Sequence, residues 1–141
     1  MRTIIFRAKG KSDGQWHYGS LLQMGDDFSI APNTENAFEM CVVEPETIGQ
    51  FTGLYDTNGK EIYEGDILQS DKPNASLCVV SWSTEKAAFI YRFYDERIDD
   101  THEIGKKSRY AIGDWNMMFE KDLAVIGNIH DNPELMKGGE Q

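Results

Sequence analysis

The segment Thr47 to Leu68, TIGQFTGLYDTNGKEIYEGDIL, constrains the fold more than any other part of this chain. Asn58-Gly59 can place two successive residues at positive φ, as a type I′ hairpin turn requires. Leu54 and Tyr55 lie on one side and Ile62 and Tyr63 on the other, so two aromatic-bearing arms are expected to pair across the turn. Gly49, Gly53 and Gly65 interrupt the arms, and glycine inside a strand pattern marks a bulge or a close backbone approach. Gly65-Asp66-Ile67-Leu68 reads as the start of a further strand. The segment is expected to be a compact knot of turns rather than a loose loop.

The rest of the chain carries the same alternation. Ile4, Phe6 and Ala8 share one face of a strand over Arg2 to Ala8, and Gln15 to Leu22 alternates again after an Asp13-Gly14 turn signal. Further strands are expected around Phe28 to Ile30, Phe38 to Val43, Leu77 to Trp82, Ala87 to Tyr94 and Leu123 to Ile129. Pro45 cannot donate a ladder hydrogen bond and marks a break, with a helical turn or tight bend at Thr47. Asp71 to Ser76 reads as a loop, and Asp114 to Leu123 as a short helical turn or irregular loop. Asn132-Pro133 predicts a short C-terminal helix with Asn132 as cap, ending in a frayed tail from Lys137 to Gln141. Short strands joined by glycine-bearing turns point to a barrel or small sandwich.

At 141 residues the chain suits one domain, with up to two lobes. Three tryptophans, six tyrosines and seven phenylalanines are enough aromatic mass for a real core. The net charge is −10, from 24 acidic and 14 basic residues. Nonspecific nucleic-acid binding relies on neutralising phosphates with Lys and Arg, so nucleic acid is not the expected partner. Anionic membranes are disfavoured for the same reason, and no stretch approaches membrane-spanning length. Ile4-Ile5-Phe6 is too short for a signal-peptide core. Cys41 and Cys78 each sit in an apolar run and read as buried thiols, with a disulfide between them left open. A reducing cytoplasm is the expected location.

Gln50-Phe51-Thr52-Gly53-Leu54, then Asp56, then Asn58 to Ile67 (NGKEIYEGDI) together resemble the hallmark of the YopX family of phage and prophage proteins. Phe6-Arg7-Ala8 and Trp16-His17-Tyr18-Gly19 are similar to the family's opening, and Pro45 to Gly49 leads into the hallmark as in relatives. Val125 to Ile129, followed by Asn132-Pro133-Glu134-Leu135, is similar to its ending. Lys9 stands where many relatives carry a tryptophan, and residues 70 to 120 carry no part of the resemblance. The resemblance implies an all-β, β-dominated fold with an SH3-like barrel part. It implies no reaction.

Glu61, Glu64 and Asp66 are the best candidates for acid–base or metal chemistry, since clustered carboxylates can hold Mg²⁺ or run a hydrolysis. Their commoner use is to accept hydrogen bonds from the amides of surrounding turns. His17, His102 and His130 are scattered, and with the two cysteines they show no paired zinc-ligand spacing. His17 reads as a surface strand residue and His130 as a turn cap. Thr47, Thr52 and Ser81 lack a nucleophile elbow, and the glycines fit no phosphate-binding loop. Lys106-Lys107-Ser108-Arg109 is the one basic cluster and reads as a solvated loop or a phosphate contact. Trp16, Tyr18, Tyr55, Tyr63, Trp82 and Tyr91 divide between core and a binding surface.

The expected architecture is an N-terminal hairpin lobe over 1–46 and a barrel lobe over 47–136, with a 137–141 tail. No catalytic residue, metal or cofactor is expected. The expected function is protein–protein interaction or self-association. The partner would carry a basic patch and meet the acidic stretch Asp95 to Glu103 through Asp95, Glu96, Asp99 and Asp100. Tyr55, Tyr63, Glu64 and Asp66 complete the expected surface, with the aromatics as anchors. The plainer role for the acidic stretch is solubility. A nucleic-acid-binding SH3-like barrel is the alternative, and a metal-dependent hydrolase using Glu61, Glu64 and Asp66 the third reading.

Overall fold

Alternation of apolar and polar residues makes the first hairpin. Strand β1 (Phe6–Lys9) pairs antiparallel with the first half of β2 (Trp16–Met24), in the register Phe6↔Gly19 to Lys9↔Trp16. The connecting turn closes with Gly10 N donating to Gln15 O at 2.9 Å and Gly14 N to Gly10 O at 2.9 Å. The computed structural model describes residues 1–33, 39–71, 77–94, 110–111 and 122–140. Expectations for Asp95 to Glu103, for Lys106 to Arg109 and for His102 lie outside the described residues, as do most of Asp71 to Ser76 and of Asp114 to Leu123.

The chain divides into two compact units, Met1–Gly53 and Leu54–Gln141. In the first, the second half of β2 leaves β1 and pairs with β3 (Asp27–Ala31), from Ser20↔Ala31 to Met24↔Asp27. Gly19 stands at the change of partner. A Cβ there would run into the Ala31 carbonyl, so the crossing requires glycine. Strand β4 (Cys41–Val42) pairs with β3, and its continuation returns to the end of β1. Val43 bridges Gly10, Lys11 N donates to Val42 O at 3.0 Å, and Glu44 N donates to Lys9 O at 2.8 Å. The ladder β1–β2–β3–β4 therefore closes on itself, which goes beyond the hairpin expected in this region. Inside it Ala8, Ile30 and Val43 are fully buried, with Phe6, Leu21, Phe28, Cys41 and Ile48 packed against them. A 3₁₀ turn at Pro45–Thr47 follows, and β5 (Gly49–Tyr55) begins against β1 at Phe6↔Gln50 and Arg7↔Gly49.

The second unit takes up the chain within β5. The end of β5 neighbours β6 (Glu61–Tyr63), and β7 (Asp66–Ser70) follows. The remaining strands are β8 (Leu77–Ser83), β9 (Ala88–Tyr94), β10 (Tyr110–Ala111) and β11 (Leu123–Asn128). They form an antiparallel sheet in the order β10-β9-β8-β7-β11. Ile62, Leu68, Cys78, Val80, Tyr91 and Leu123 form its core, with Leu54, Phe89 and Val125 packed alongside. Each fully buried aliphatic chain contributes about 1.5–3 kcal/mol. Strand β11 shifts register between Val125 and Gly127, leaving Ile126 as an extra, exposed residue.

The all-β class is as expected, and among the described residues there is no α-helix. Two local expectations need correction. The C-terminal segment Pro133–Glu140 is a 3₁₀ helix that continues through residues expected to fray. Pro133 does open it, but the Asn132 side-chain oxygen turns back to accept from Asn128 N at 3.2 Å. Arg2 to Ile5 also precede the first strand rather than belonging to it. Among the described residues no helix is long and apolar enough to cross a membrane.

Candidate functional site

The hallmark hairpin is built around Asp56. Asp56 N donates to Lys60 O at 2.8 Å and Gly59 N to Asp56 O at 3.0 Å, closing a loop of three residues. Gly59 has φ 81°, whereas neither Thr57 nor Asn58 has positive φ. The expected type I′ turn is therefore incorrect, since it needs two successive positive values. The observed form, with a single left-handed glycine after the bend, is the three-residue hairpin loop with a glycine bulge. The physical reason lies in the Asp56 carboxylate. Its Oδ1 accepts from Asn58 N and from Lys60 N, each at 2.8 Å, and so fixes the bend that Asn58-Gly59 alone leaves open.

The same carboxylate reaches across the unit. Asp56 Oδ2 accepts from Val125 N at 2.9 Å, and Thr57 N donates to Leu123 O at 2.9 Å. The turn thus occupies the outer edge of β11, which would otherwise present open backbone groups. Asp56 is only 7% exposed. Burial alone would push its pKa up. The amides of Val125, Lys60 and Asn58, with the nearby Lys60 charge, outweigh that and hold the carboxyl below its ordinary value.

Of the acidic trio, Asp66 accepts from a turn amide. Asp66 is 1% exposed, and its Oδ2 accepts from Tyr63 N at 2.8 Å. Glu61 Oε1 accepts from the Tyr63 hydroxyl at 3.2 Å. Glu64 is half-buried beside them. Among the described residues no group of three or more His, Cys, Asp or Glu side chains is placed to hold a metal. Tyr63 is 3% exposed, so it and Asp66 belong to the interior and not to an accessible surface.

The other candidates are likewise engaged. Thr47 Oγ1 donates to Glu44 O at 2.7 Å and accepts from Lys9 N at 2.8 Å, bracing the first unit. Ser81 Oγ accepts from Arg92 Nε at 2.8 Å. His17 Nε2 lies 2.9 Å from Asp13 Oδ2 at the surface, and His130 N donates to Asn128 Oδ1 at 3.0 Å. Both cysteines are free. Burial pushes the Cys78 thiol up to about 12, and burial with the Asp13 charge raises Cys41, so neither is a reactive thiolate.

The aromatics divide. Tyr91 and Tyr63 are core. Trp16 is covered by cations, with the Arg7 guanidinium 4.7 Å and the Lys9 ammonium 5.5 Å from its ring centre. Tyr18, Tyr55 and Trp82 are 47%, 54% and 46% exposed. Trp82 sits opposite Phe89 and packs edge-on to it at 5.1 Å, at the open end of the face that buries Cys78 and Val80. Asp56 was the residue that reading for catalytic sets passed over. The signal was there: an aspartate two residues before Asn-Gly is a turn-capping position.

The crystal structure of protein EF1440 from Enterococcus faecalis is similar to this chain at 23% identity, covering 96% of this chain and 99% of that one with a TM-score of 0.56. At that identity the likeness concerns the fold alone. Among curated proteins none matches the chain. The profile described as YopX protein matches residues 5–137, spanning both units and the Asp56 hairpin, and the chain belongs to the YopX family.

Proposed function

We propose that this chain is a small phage- or prophage-type cytoplasmic protein that acts by binding another protein or a second copy of itself. Family membership supports the phage-type part of the reading. The interaction part rests on one contrast. Tyr18, Tyr55 and Trp82 are exposed on regular strands, while Thr47, Asp56, Glu61, Asp66 and Ser81 serve their own turns and sheets. Rigid aromatics bury large contact area at low entropic cost and are favoured anchors. Tyr55 keeps the anchoring role expected of it, Trp82 joins it, and Tyr63 leaves it.

The net charge of −10 favours a partner with a basic patch, with Asp95, Glu96, Asp99 and Asp100 as steering charges. The test is a host-lysate pull-down with a parallel gel shift, at low and at physiological salt. Tyr55→Ala and Trp82→Ala are expected to lose a recovered partner while melting like the parent. Changing the four acids to Asn or Gln is expected to lower recovery mainly at low salt. A partner held equally well by all these variants would overturn the reading, as would tight duplex binding at physiological salt.

The alternative, a nucleic-acid-binding SH3-like barrel over 47–136, would be favoured by a contiguous basic surface around Lys106 to Arg109. The net charge of −10 weighs against it.

A further inference from the structure

Asn58 is the only asparagine in the chain followed by glycine. Both residues are exposed at the tip of the hallmark hairpin. Glycine offers no side chain to shield the following amide nitrogen from the asparagine carboxamide. We propose that Asn58–Gly59 is a self-modification site, at which Asn58 deamidates through a cyclic imide at a rate governed by the Asp56 turn. In the first step the Gly59 amide nitrogen bonds to the Asn58 side-chain carbonyl carbon, and the bond from that carbon to the carboxamide nitrogen breaks. The Gly59 amide proton leaves with that nitrogen as ammonia. Water then opens the five-membered imide at either carbonyl. One opening gives aspartate, and the other gives isoaspartate, in which the main chain runs through the former side-chain carbon. No oxidant or reductant is involved.

The turn restrains this step. The attacking nitrogen is held, because Gly59 N donates to Asp56 O at 3.0 Å. The amides on either side of the reacting pair, Asn58 N and Lys60 N, share one oxygen of the Asp56 carboxylate at 2.8 Å each. Closing the imide requires the Gly59 amide to leave the Asp56 carbonyl while its neighbours are held by the carboxylate. Isoaspartate then adds a main-chain atom between two amides that fit a single oxygen only at the original spacing. The other carboxylate oxygen holds Val125 N at 2.9 Å, so the modification loosens the hairpin from β11. Once loosened, the turn does not re-form in its original shape.

The full chain is incubated in mildly alkaline buffer, folded and in denaturant, and Asn58 is followed by peptide mapping with isoaspartate-specific labelling. In denaturant Asn58 should react ahead of every other asparagine, and in the folded chain at least about tenfold more slowly, as a local opening step dictates. Equal rates in the two states would overturn the restraint, and no reaction at Asn58 in denaturant would overturn the site. Asn58→Asp carries the product charge without the extra main-chain atom. It should melt closer to the parent than the purified isoaspartate form does. An isoaspartate form that melts with the parent would overturn the link to β11.

Discussion

At the Asp13-Gly14 turn, a surface carboxylate accepts from Gln15 N at 2.9 Å and lies 2.9 Å from His17 Nε2. At the Asp56 turn, a carboxylate accepts from Asn58, Lys60 and Val125 amides. Asp13 directly precedes Gly14 and Asp56 stands three residues before Gly59, and both have a lowered pKa. At Asp13 the Gln15 amide is the main cause, followed by His17, and every partner lies within four residues. At Asp56 one partner is 69 residues away and the group is buried. The same turn chemistry is local decoration in one place and a tie between distant strands in the other. Burial decides which, because a buried carboxylate gives up its water and is held by the amides around it instead.

The comparison breaks most sharply under truncation. Asp56→Ala leaves three amides without their acceptor and should lower unfolding free energy by about 3 kcal/mol. Asp13→Ala removes only exposed interactions and should cost far less, as urea unfolding of the two variants would measure. Comparable losses would erase the distinction. Acid sharpens the same point. The folded-state pKa of Asp56 lies below its unfolded value of about 4, so its contribution is complete above that pH. As pH falls below about 4, the unfolded chain takes up the proton first and the contribution is lost. The stability gap between the parent and Asp56→Asn should therefore narrow in acid titrations.

Smaller effects probe the backbone. Gly59 at φ 81° has open space around a would-be Cβ, so Gly59→Val should cost about 1 kcal/mol or more through strain alone, and Lys60→Ala much less. Equal melting temperatures would contradict the turn geometry. In the β8–β9 turn, Ala87 is held at φ 51°. Ala87→Gly should raise stability by about 0.5 kcal/mol, read from the melting temperature.

Period-two patterning made most strands legible, because neighbouring residues sort themselves to opposite faces without distant help. Asn58-Gly59 announced a hairpin but not its type, since a carboxylate two residues upstream selected the bend. The acidic trio was legible as turn chemistry in part, and Asp66 with Tyr63 N shows why: the partner is three residues away. The ring in the first unit was not legible, because Gly10 meets Val43 through a bridge that no local pattern specifies. Nor was the reach of Asp56 to Val125. The Asn-Pro start predicts a C-terminal helix, but it does not separate α from 3₁₀ geometry.

Amide hydrogen exchange at Val125, in the parent and in Asp56→Ala, tests the central claim most directly. Val125 N is held by the Asp56 carboxylate, whereas Asn128 N, on the same strand, is held by Asn132 Oδ1. The Val125 amide should be protected in the parent and lose protection selectively in the variant. Unchanged Val125 protection, or an equal loss along all of β11, would contradict the assignment of Asp56 as the tie between hairpin and sheet.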